Sequence, residues 1–279
     1  MKKIFILSLL FGFFANASAQ EAYDFQFGLL ESSTTTTGAF RFPNSVQADQ
    51  VGNVFGDVTL KQNIVLAKQG KTKFSIYGQA NYTRDTFPYD WNNSSKLTLG
   101  ATLSTRIGDH LSLTLSARQE YYSEIHTDNE LSAFRYGVSY YYGDQWKAET
   151  APNKDEFGFL KSTLKSYGAI TFPASLEPGN SNITIIQGAE YAWQYQMPNS
   201  NFVVAPLVSL NVDWDKEQLS YNNKLKAAVG AKIIYSLAGG ELYAGAKYEA
   251  DYRPFASFDN FVTGPQIYFG WYKTWNQKF

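Results

Sequence analysis

The sequence contains no cysteine among its 279 residues. Neither a disulfide nor a thiolate metal site is therefore available, even in an oxidising compartment. Beyond the first nineteen residues it also has no run of about 18 apolar residues, which excludes a helix that spans a bilayer. The chain also has no large net charge, since it contains 24 Lys and Arg and 25 Asp and Glu. A nucleic-acid partner is not expected, because it would require a basic stripe.

Residues 1–19 have the pattern of a cleaved secretory signal peptide. Two lysines follow the first methionine, the next eleven residues are mostly apolar, and Ala17-Ser18-Ala19 offers small residues for cleavage. An uncleaved membrane anchor is the alternative, but the apolar run is too short to span a bilayer. We therefore expect export and cleavage after Ala19. The loss of two lysines changes the formal charge from −1 to −3 and leaves a single domain at residues 20–279.

What the sequence has in excess is aromatic residues. They make up 17% of the chain, with 20 Tyr, 21 Phe and 6 Trp. The mean hydropathy is nevertheless slightly negative. An exported chain with many aromatics, low mean hydropathy and no spanning helix is typical of an outer-membrane β-barrel, although a secreted β-sandwich shares these figures.

From residue 55 to the C-terminus, apolar and polar residues alternate in runs of about ten. The clearest run has apolar residues at every second position: Phe202, Val204, Pro206, Val208, Leu210 and Val212. A tilted strand of about ten residues with one apolar face spans a bilayer, and such strands close into a barrel. The sequence predicts twelve strands, at residues 23–30, 56–67, 74–82, 97–106, 111–120, 134–141, 160–172, 183–195, 202–213, 224–235, 241–249 and 264–279.

The lengths of the predicted connections decide between barrel and sandwich. Those after the second, fourth, eighth and tenth strands are short, and most of the others are longer. Outer-membrane barrels have short periplasmic turns and long external loops, so both termini should be periplasmic. Only the connection 143–158 is too long for its place. Segment 31–54 is predicted to be a mobile external loop or an inward plug. We predict an all-β, antiparallel, up-and-down transmembrane barrel of about twelve strands.

Aromatic residues collect at the ends of the predicted strands and follow the apolar alternation. Rings at both membrane interfaces form the aromatic girdles of such barrels, although Tyr and Trp also favour strands in general. The girdle candidates are Tyr82, Tyr121, Tyr140, Tyr195, Tyr248, Trp271 and Trp275.

In general form the chain resembles a bacterial outer-membrane β-barrel protein. The resemblance rests on Ala17-Ser18-Ala19, on the twelve amphipathic runs and on the terminal Phe279, which Trp275 and Trp271 precede on the same parity. Lys273 and Gln277 depart from the apolar pattern there. The resemblance implies the outer membrane, contact with its lipid and lipopolysaccharide, and recognition of Phe279 by the barrel-assembly machinery. The Tyr-, Asn- and Lys-rich composition resembles that of Bacteroidota proteins.

The polar parity of the predicted strands should face the lumen. Charged side chains there could line an aqueous pore, or they could pair across strands and fill the lumen. Twelve strands give a lumen between that of a filled eight-stranded barrel and that of an open porin. Cations dominate the set, which favours anionic solutes. The lumen-lining candidates are Lys61, Gln79, Arg106, Arg118, Glu120, Arg135, Lys165, Glu190, Lys226, Lys232, Lys247 and Glu249.

Two further sets of polar residues fall in predicted loops. His126 lies near Ser123 and Asp128, the residue types of a hydrolase at the external rim, whereas His110 lies in a periplasmic turn. No sequence motif surrounds either histidine. External-loop carboxylates could bind calcium, but we expect solvated side chains and no metal. They are Asp85, Asp90, Asp128, Asp213, Asp215, Asp251 and Asp259.

These observations favour a passive, porin-like channel for small solutes that is not an enzyme and needs no cofactor. The alternative is a non-conducting barrel in a larger envelope assembly, which presents its wall or loops to protein partners. A lipid hydrolase at the external rim is the third hypothesis.

Overall fold

A computed structural model describes residues 25–47, 51–89, 92–125, 127, 130–177, 179–219, 222–257 and 260–279. These residues form twelve antiparallel strands, each paired with its neighbours in sequence, and the first and last strands pair to close a barrel. The predicted all-β, up-and-down barrel of twelve strands is confirmed. The strands are β1 Gln26–Phe42, β2 Phe55–Gln69, β3 Thr72–Asp85, β4 Ser94–Ile107, β5 Leu111–Glu124, β6 Glu130–Lys147, β7 Gly158–Phe172, β8 Thr184–Gln196, β9 Phe202–Asp215, β10 Lys224–Leu237, β11 Gly240–Tyr252 and β12 Phe261–Lys278. The predicted signal peptide lies outside the described residues.

The prediction for segment 31–54 is wrong in its first half. Strand β1 does not end at Leu30 but continues to Phe42, and only residues 43–54 connect it to β2. The threonine run lies inside the strand, where Thr34 pairs with Gln62 of β2 and with Trp275 of β12. Threonine is β-branched and fits an extended strand well. The run lacks apolar alternation, so the sequence pattern alone does not indicate a strand there.

The two ends of the barrel differ in the length of their connections. One end, which we call the short-turn end, carries connections 70–71, 108–110, 148–157, 197–201 and 238–239. The other end, the long-loop end, carries connections 43–54, 86–93, 125–129, 173–183, 216–223 and 253–260. Both ends of the strand sequence lie at the short-turn end, since Gln26 pairs with Lys68 and Lys278 with Glu31. Because β6 extends to Lys147, the connection predicted at 143–158 shortens to 148–157.

The outer wall is apolar and the interior is polar, the reverse of a water-soluble protein. Leu60, Val229 and Ile267 point outward and are 53%, 59% and 61% exposed. The largest fully buried side chains are instead polar: Asn53, Asn93, Asn182, Asn223, Asp215 and Asp251. Such an apolar outer surface is stable only against lipid or another apolar partner. Among the described residues, no helix is long and apolar enough to cross a membrane.

Glycines on the inner wall leave room for tyrosine rings from the neighbouring strand. A Cβ added to Gly245 would lie 2.8 Å from the Tyr268 ring, and one added to Gly270 would lie 2.5 Å from the Tyr243 hydroxyl. Each tyrosine ring therefore lies over a glycine of the neighbouring strand and does not project towards the barrel axis. This packing also stabilises the strand at the glycine, which has no side chain of its own to pack. The consequence is open space beside the wall.

Candidate functional site

Strand alternation places all twelve lumen-lining candidates on the inner side of the barrel. The structure gathers several of them into two charged clusters. The first charged cluster consists of Lys96, Arg118, Glu120 and Arg135, and the second consists of Lys226, Lys247 and Glu249.

Glu120 is the centre of the first charged cluster. Arg118 Nε donates to its Oε1, while Arg135 Nη1 lies 3.0 Å and Lys96 Nζ 3.9 Å from its Oε2. The Glu120 side chain is 3% exposed. Three cations thus surround one carboxylate, so a positive excess remains at the inner wall.

Lys96 is an inward residue that is absent from the lumen-lining candidates predicted from the sequence. It lies on β4 between Ser95 and Leu97, and Leu97 is on the outer wall. The alternation of β4 could have found it, because Lys96 has the same parity as the inward Thr98. Its position near the start of the strand hid this signal.

Glu249 has the same central place in the second charged cluster. Lys226 Nζ donates to its Oε1 at 3.0 Å and Lys247 Nζ to its Oε2 at 2.6 Å. Lys226 is also 3.5 Å from the carboxylate of Asp251, which Arg253 approaches to 3.3 Å. Lys226 is therefore held by two carboxylates of the neighbouring strand, and Lys247 by a carboxylate of its own strand.

A third inward group borders an open cavity. Lys232 Nζ donates to Glu190 at 2.9 Å. Lys165, opposite Glu190 in the β7–β8 register, has no ion-pair partner among the described residues. Both lysines border a cavity of about 890 Å³. We call this space the tyrosine-lined cavity, after Tyr141, Tyr167, Tyr243, Tyr268 and Tyr272 on its walls.

The remaining lumen candidates lie apart from these groups. Lys61 places its ammonium 4.4 Å from the centre of the Tyr77 ring, a cation–π contact. Gln79 donates to Asn81 at 2.7 Å. Arg106 lies at the short-turn end, where it donates to the carbonyl of Asp109. It therefore borders the mouth of the barrel and not the charged clusters.

The expectation that the external carboxylates are solvated is wrong for several of them. Asp85 is 4% exposed, and Asp215 and Asp251 are fully buried. Amide groups of neighbouring asparagines bind the first two, and Asp213 forms an ion pair with Lys224 at 3.1 Å. No group of metal-ligating side chains occurs within the described part of the chain. Asp90, Asp128 and Asp259 lie outside it.

The residues of the hydrolase hypothesis are only partly described. His126 and Asp128 lie outside the described residues, so the proposed neighbourhood of Ser123 stays a prediction. His110 is an exposed residue of the short-turn end and lies 3.1 Å from the Gly143 carbonyl and 3.3 Å from Asp144. These are ordinary surface contacts.

The predicted girdle residues all point outward. Tyr82, Tyr121 and Tyr248 lie towards the long-loop end, and Tyr140, Tyr195 and Trp275 towards the short-turn end. The backbone N–H of Phe279 donates to the Leu30 carbonyl at 3.1 Å, so the last residue continues the pairing of β12 with β1. The apolar outer wall, polar inner wall and closed sheet define the fold of a transmembrane β-barrel.

Solved structures with similar folds are bacterial outer-membrane proteins. The β-domain of the Bordetella autotransporter BrkA is 13% identical, with a TM-score of 0.44, over 88% of this chain and 99% of that one. An outer-membrane channel from Pseudomonas putida F1 is 8% identical, with a TM-score of 0.46, over 92% and 100%. The channel DcaP of Acinetobacter baumannii is 8% identical, with a TM-score of 0.34, over 92% and 99%. Neither a protein-family model nor a curated protein matches the sequence.

Proposed function

We propose that the protein is a passive channel of the bacterial outer membrane that prefers small anionic solutes, with both termini in the periplasm. The tyrosine-lined cavity carries this proposal. It brings together residues of β1 and of β6 to β12 inside the closed sheet, and its volume of about 890 Å³ is in the range that holds small organic molecules.

The preference for anions rests on the charge of the inner wall. The twelve lumen-lining candidates include eight cations and three carboxylates. Glu120, Glu190 and Glu249 each bind at least one of these cations, and they still leave a positive excess. Rings and clusters of one charge select solutes of the opposite charge at close range.

Planar-bilayer recordings test the channel. We expect steps of conductance from purified, heat-modifiable barrel, and a reversal potential in a KCl gradient that indicates chloride preference. The absence of steps from correctly folded protein would remove the channel proposal. A reversal potential that indicates potassium preference would remove the anion preference alone.

A second candidate function, a barrel that assembles with other barrels through its wall, rests on a polar row on the outer face. Thr34 donates to Gln62, and Gln62 donates to Ser32 at 2.6 Å. Thr34 is the ninth of the seventeen residues of β1, so the row lies at mid-height. These side chains satisfy one another only in part, and their remaining donors and acceptors are unfavourable against lipid unless a partner binds them. A second copy of this chain offers the same hydroxyl and amide groups across a two-fold contact.

The mass of the protein in mild detergent tests this second candidate. We expect a dimer that Thr34→Val weakens, while Thr35→Val, which changes an inward neighbour of the same type, leaves it intact. A monomeric wild-type protein would contradict assembly of the barrel with a second copy. Equal effects of the two variants would mean that the dimer does not depend on this polar row.

A further inference from the structure

The loop between β3 and β4 is closed by one aspartate and two asparagines. Asn92 Nδ2 donates to Asp85 Oδ2 at 2.6 Å, and the Asp85 backbone N–H donates to Asn93 Oδ1 at 3.0 Å. Asn93 Nδ2 donates to the Tyr89 carbonyl at 2.8 Å, and Asn53 Nδ2 to Asp85 Oδ2 at 2.8 Å. We call this arrangement the first clamp.

The loop between β9 and β10 has the same arrangement, 130 residues later. Asn222 Nδ2 donates to Asp215 Oδ2 at 2.6 Å, and the Asp215 backbone N–H donates to Asn223 Oδ1 at 3.0 Å. Asn223 Nδ2 donates to the Leu219 carbonyl at 2.9 Å. Apart from the Asn53 contact of the first clamp, the second clamp matches the first in residue type, in spacing and in donor and acceptor atoms.

Two seams of the barrel are also tied by matching contacts near the long-loop end. At the β6–β7 seam, Arg135 donates to the carbonyls of Pro173 and Ala174. At the β12–β1 seam, Gln266 donates to the carbonyls that follow Phe42, those of Pro43 and Asn44, at 2.7 and 3.0 Å.

The outer faces of the same two seams match as well. The Tyr140 ring covers Gly168, and its hydroxyl lies 3.1 Å from Ser166 Oγ. At the other seam the Trp271 ring covers Gly38, and its Nε1 donates to Thr36 Oγ1 at 3.4 Å. The chain therefore folds as two related halves, β1–β6 and β7–β12, and corresponding strands lie six places apart on opposite sides of the ring.

The two charged clusters occupy corresponding positions in these halves. Lys96 corresponds to Lys226 at a shift of 130 residues. Arg118 corresponds to Lys247, and Glu120 to Glu249, at a shift of 129, because connection 108–110 is one residue longer than 238–239. Each cluster thus has a central carboxylate, which contacts three cations in the first cluster and two in the second. The clusters lie on opposite walls towards the long-loop end.

From this correspondence we infer that the two charged clusters are the two arms of one binding site for a multivalent oxyanion that enters from the long-loop end. In each arm the carboxylate accepts charge-assisted hydrogen bonds from neighbouring cations. Lys96, 3.9 Å from Glu120, forms an ion pair only. A lysine ammonium has three donors, and the bonds to carboxylates leave some free for a ligand. An anion with charged oxygens at both ends offers one end to each arm, whereas chloride offers a single charge. The inference deepens the proposed anion preference and names its substrate class.

Inorganic pyrophosphate is the probe, with chloride as the monovalent reference. Binding is measured by calorimetry on the full-length mature barrel in detergent, and block of conductance is measured in bilayers. We expect Lys96→Gln and Lys226→Gln each to weaken pyrophosphate binding about tenfold, the loss of one charged contact at each arm. Lys96→Arg should retain most of the binding. Lys216→Gln, an exposed loop lysine at the same end, is the control and should bind like the wild type.

A matched loss from both arms supports the paired site. Loss from one arm alone, no pyrophosphate binding, or equal loss from Lys216→Gln would overturn it. Heat-modifiable migration verifies the fold of each variant, and Arg118→Gln with Lys247→Gln is the second matched pair if the first does not fold. The outcome is separable from the channel proposal: binding without conductance keeps the site and removes the channel, and conductance without binding does the reverse.

Discussion

In the first half of the barrel, Tyr77 and Lys61 share the inner wall, and the lysine ammonium rests on the ring. The second half places Leu207 and Glu190 at the corresponding positions, and Glu190 binds Lys232 instead. The clamps and seams, by contrast, repeat the same contacts in both halves. The contacts that join neighbouring strands are therefore the same in both halves. The inner wall repeats the two charged clusters but differs at these other positions.

The largest effect on stability is expected from substituting a glycine that occurs at the corresponding position in both halves. Gly100 and Gly230 occupy corresponding positions, and a Cβ would lie 2.9 Å from the Ala117 carbonyl oxygen in the first and 2.7 Å from Lys247 Cα in the second. Valine at either position should lower the free energy of unfolding by about 3 kcal/mol, because the backbone has to move. Urea unfolding in detergent measures this loss.

Gly78 provides the control for that measurement. A Cβ there would meet Leu99 at an ordinary 3.6 Å, and the second half already has Val208 at the corresponding position. Gly78→Val should change stability by less than about 0.5 kcal/mol. A loss at Gly100 without a loss at Gly230 would contradict the equivalence of the two halves.

The clamps are expected to give the next largest effect. Asp85→Ala and Asp215→Ala each leave buried amide groups without their acceptor, and each should cost about 2 kcal/mol of unfolding free energy. Because the clamps lie on opposite walls, the two losses should add in the double variant. Asp109→Ala, in an exposed turn, should cost nearly nothing. Unequal losses from the two clamps would show that their matching contacts differ in importance.

A smaller loss of stability is expected when Arg135 of the β6–β7 seam is replaced by glutamine, the residue type found at the β12–β1 seam. Arg135→Gln places in the first half the residue type of Gln266, whose single amide nitrogen already donates to two carbonyls. The variant loses the ion pair to Glu120, so we expect a cost of about 1 kcal/mol. Arg135→Leu should cost more, since it removes the seam contacts too. Equal costs for the two variants would mean that the amide cannot replace the guanidinium at this seam.

The smallest effect concerns the lumen and depends on the channel proposal. Tyr268 borders the tyrosine-lined cavity, whereas Tyr77 in the first half does not. Tyr268→Ala should raise single-channel conductance about 1.5-fold by widening the passage. Tyr77→Ala should leave the conductance nearly unchanged. If both variants raise it equally, the narrow part of the passage involves both halves.

The sequence predicts the strands of this barrel and the direction of their side chains better than it predicts the contacts between side chains. Alternation in residues 202–213 was sufficient for strand β9, because a side-chain period of two requires no knowledge of the partners. The threonines of β1 were missed for the same reason, since they have the conformation of a strand but not the apolar alternation. The lumen-lining candidates rest on the same alternation, and Lys96 is absent from them because it lies at the start of a strand.

The partners of each candidate could not be predicted. Whether Glu120 meets Arg135 depends on the register between β5 and β6, which single-sequence periodicity does not define. The internal repeat was hidden because its shared residues are few and widely separated. Asp85 with its asparagine pair, and Asp215 with its own at the same spacing, are the sequence signal that could have found it.

The ten-residue connection 148–157 differs from the other connections of the short-turn end, which have five residues or fewer. It joins β6 to β7, whereas β12 and β1, which form the corresponding seam, are the last and first strands and are not joined by a connection. Because the barrel consists of two related halves, this connection is a linker between the halves and not a hairpin turn within one of them. Cut there, the protein becomes two separate six-stranded chains, each with its ends on the same side, so co-expression of the two pieces is a route to an assembled barrel without a covalent link.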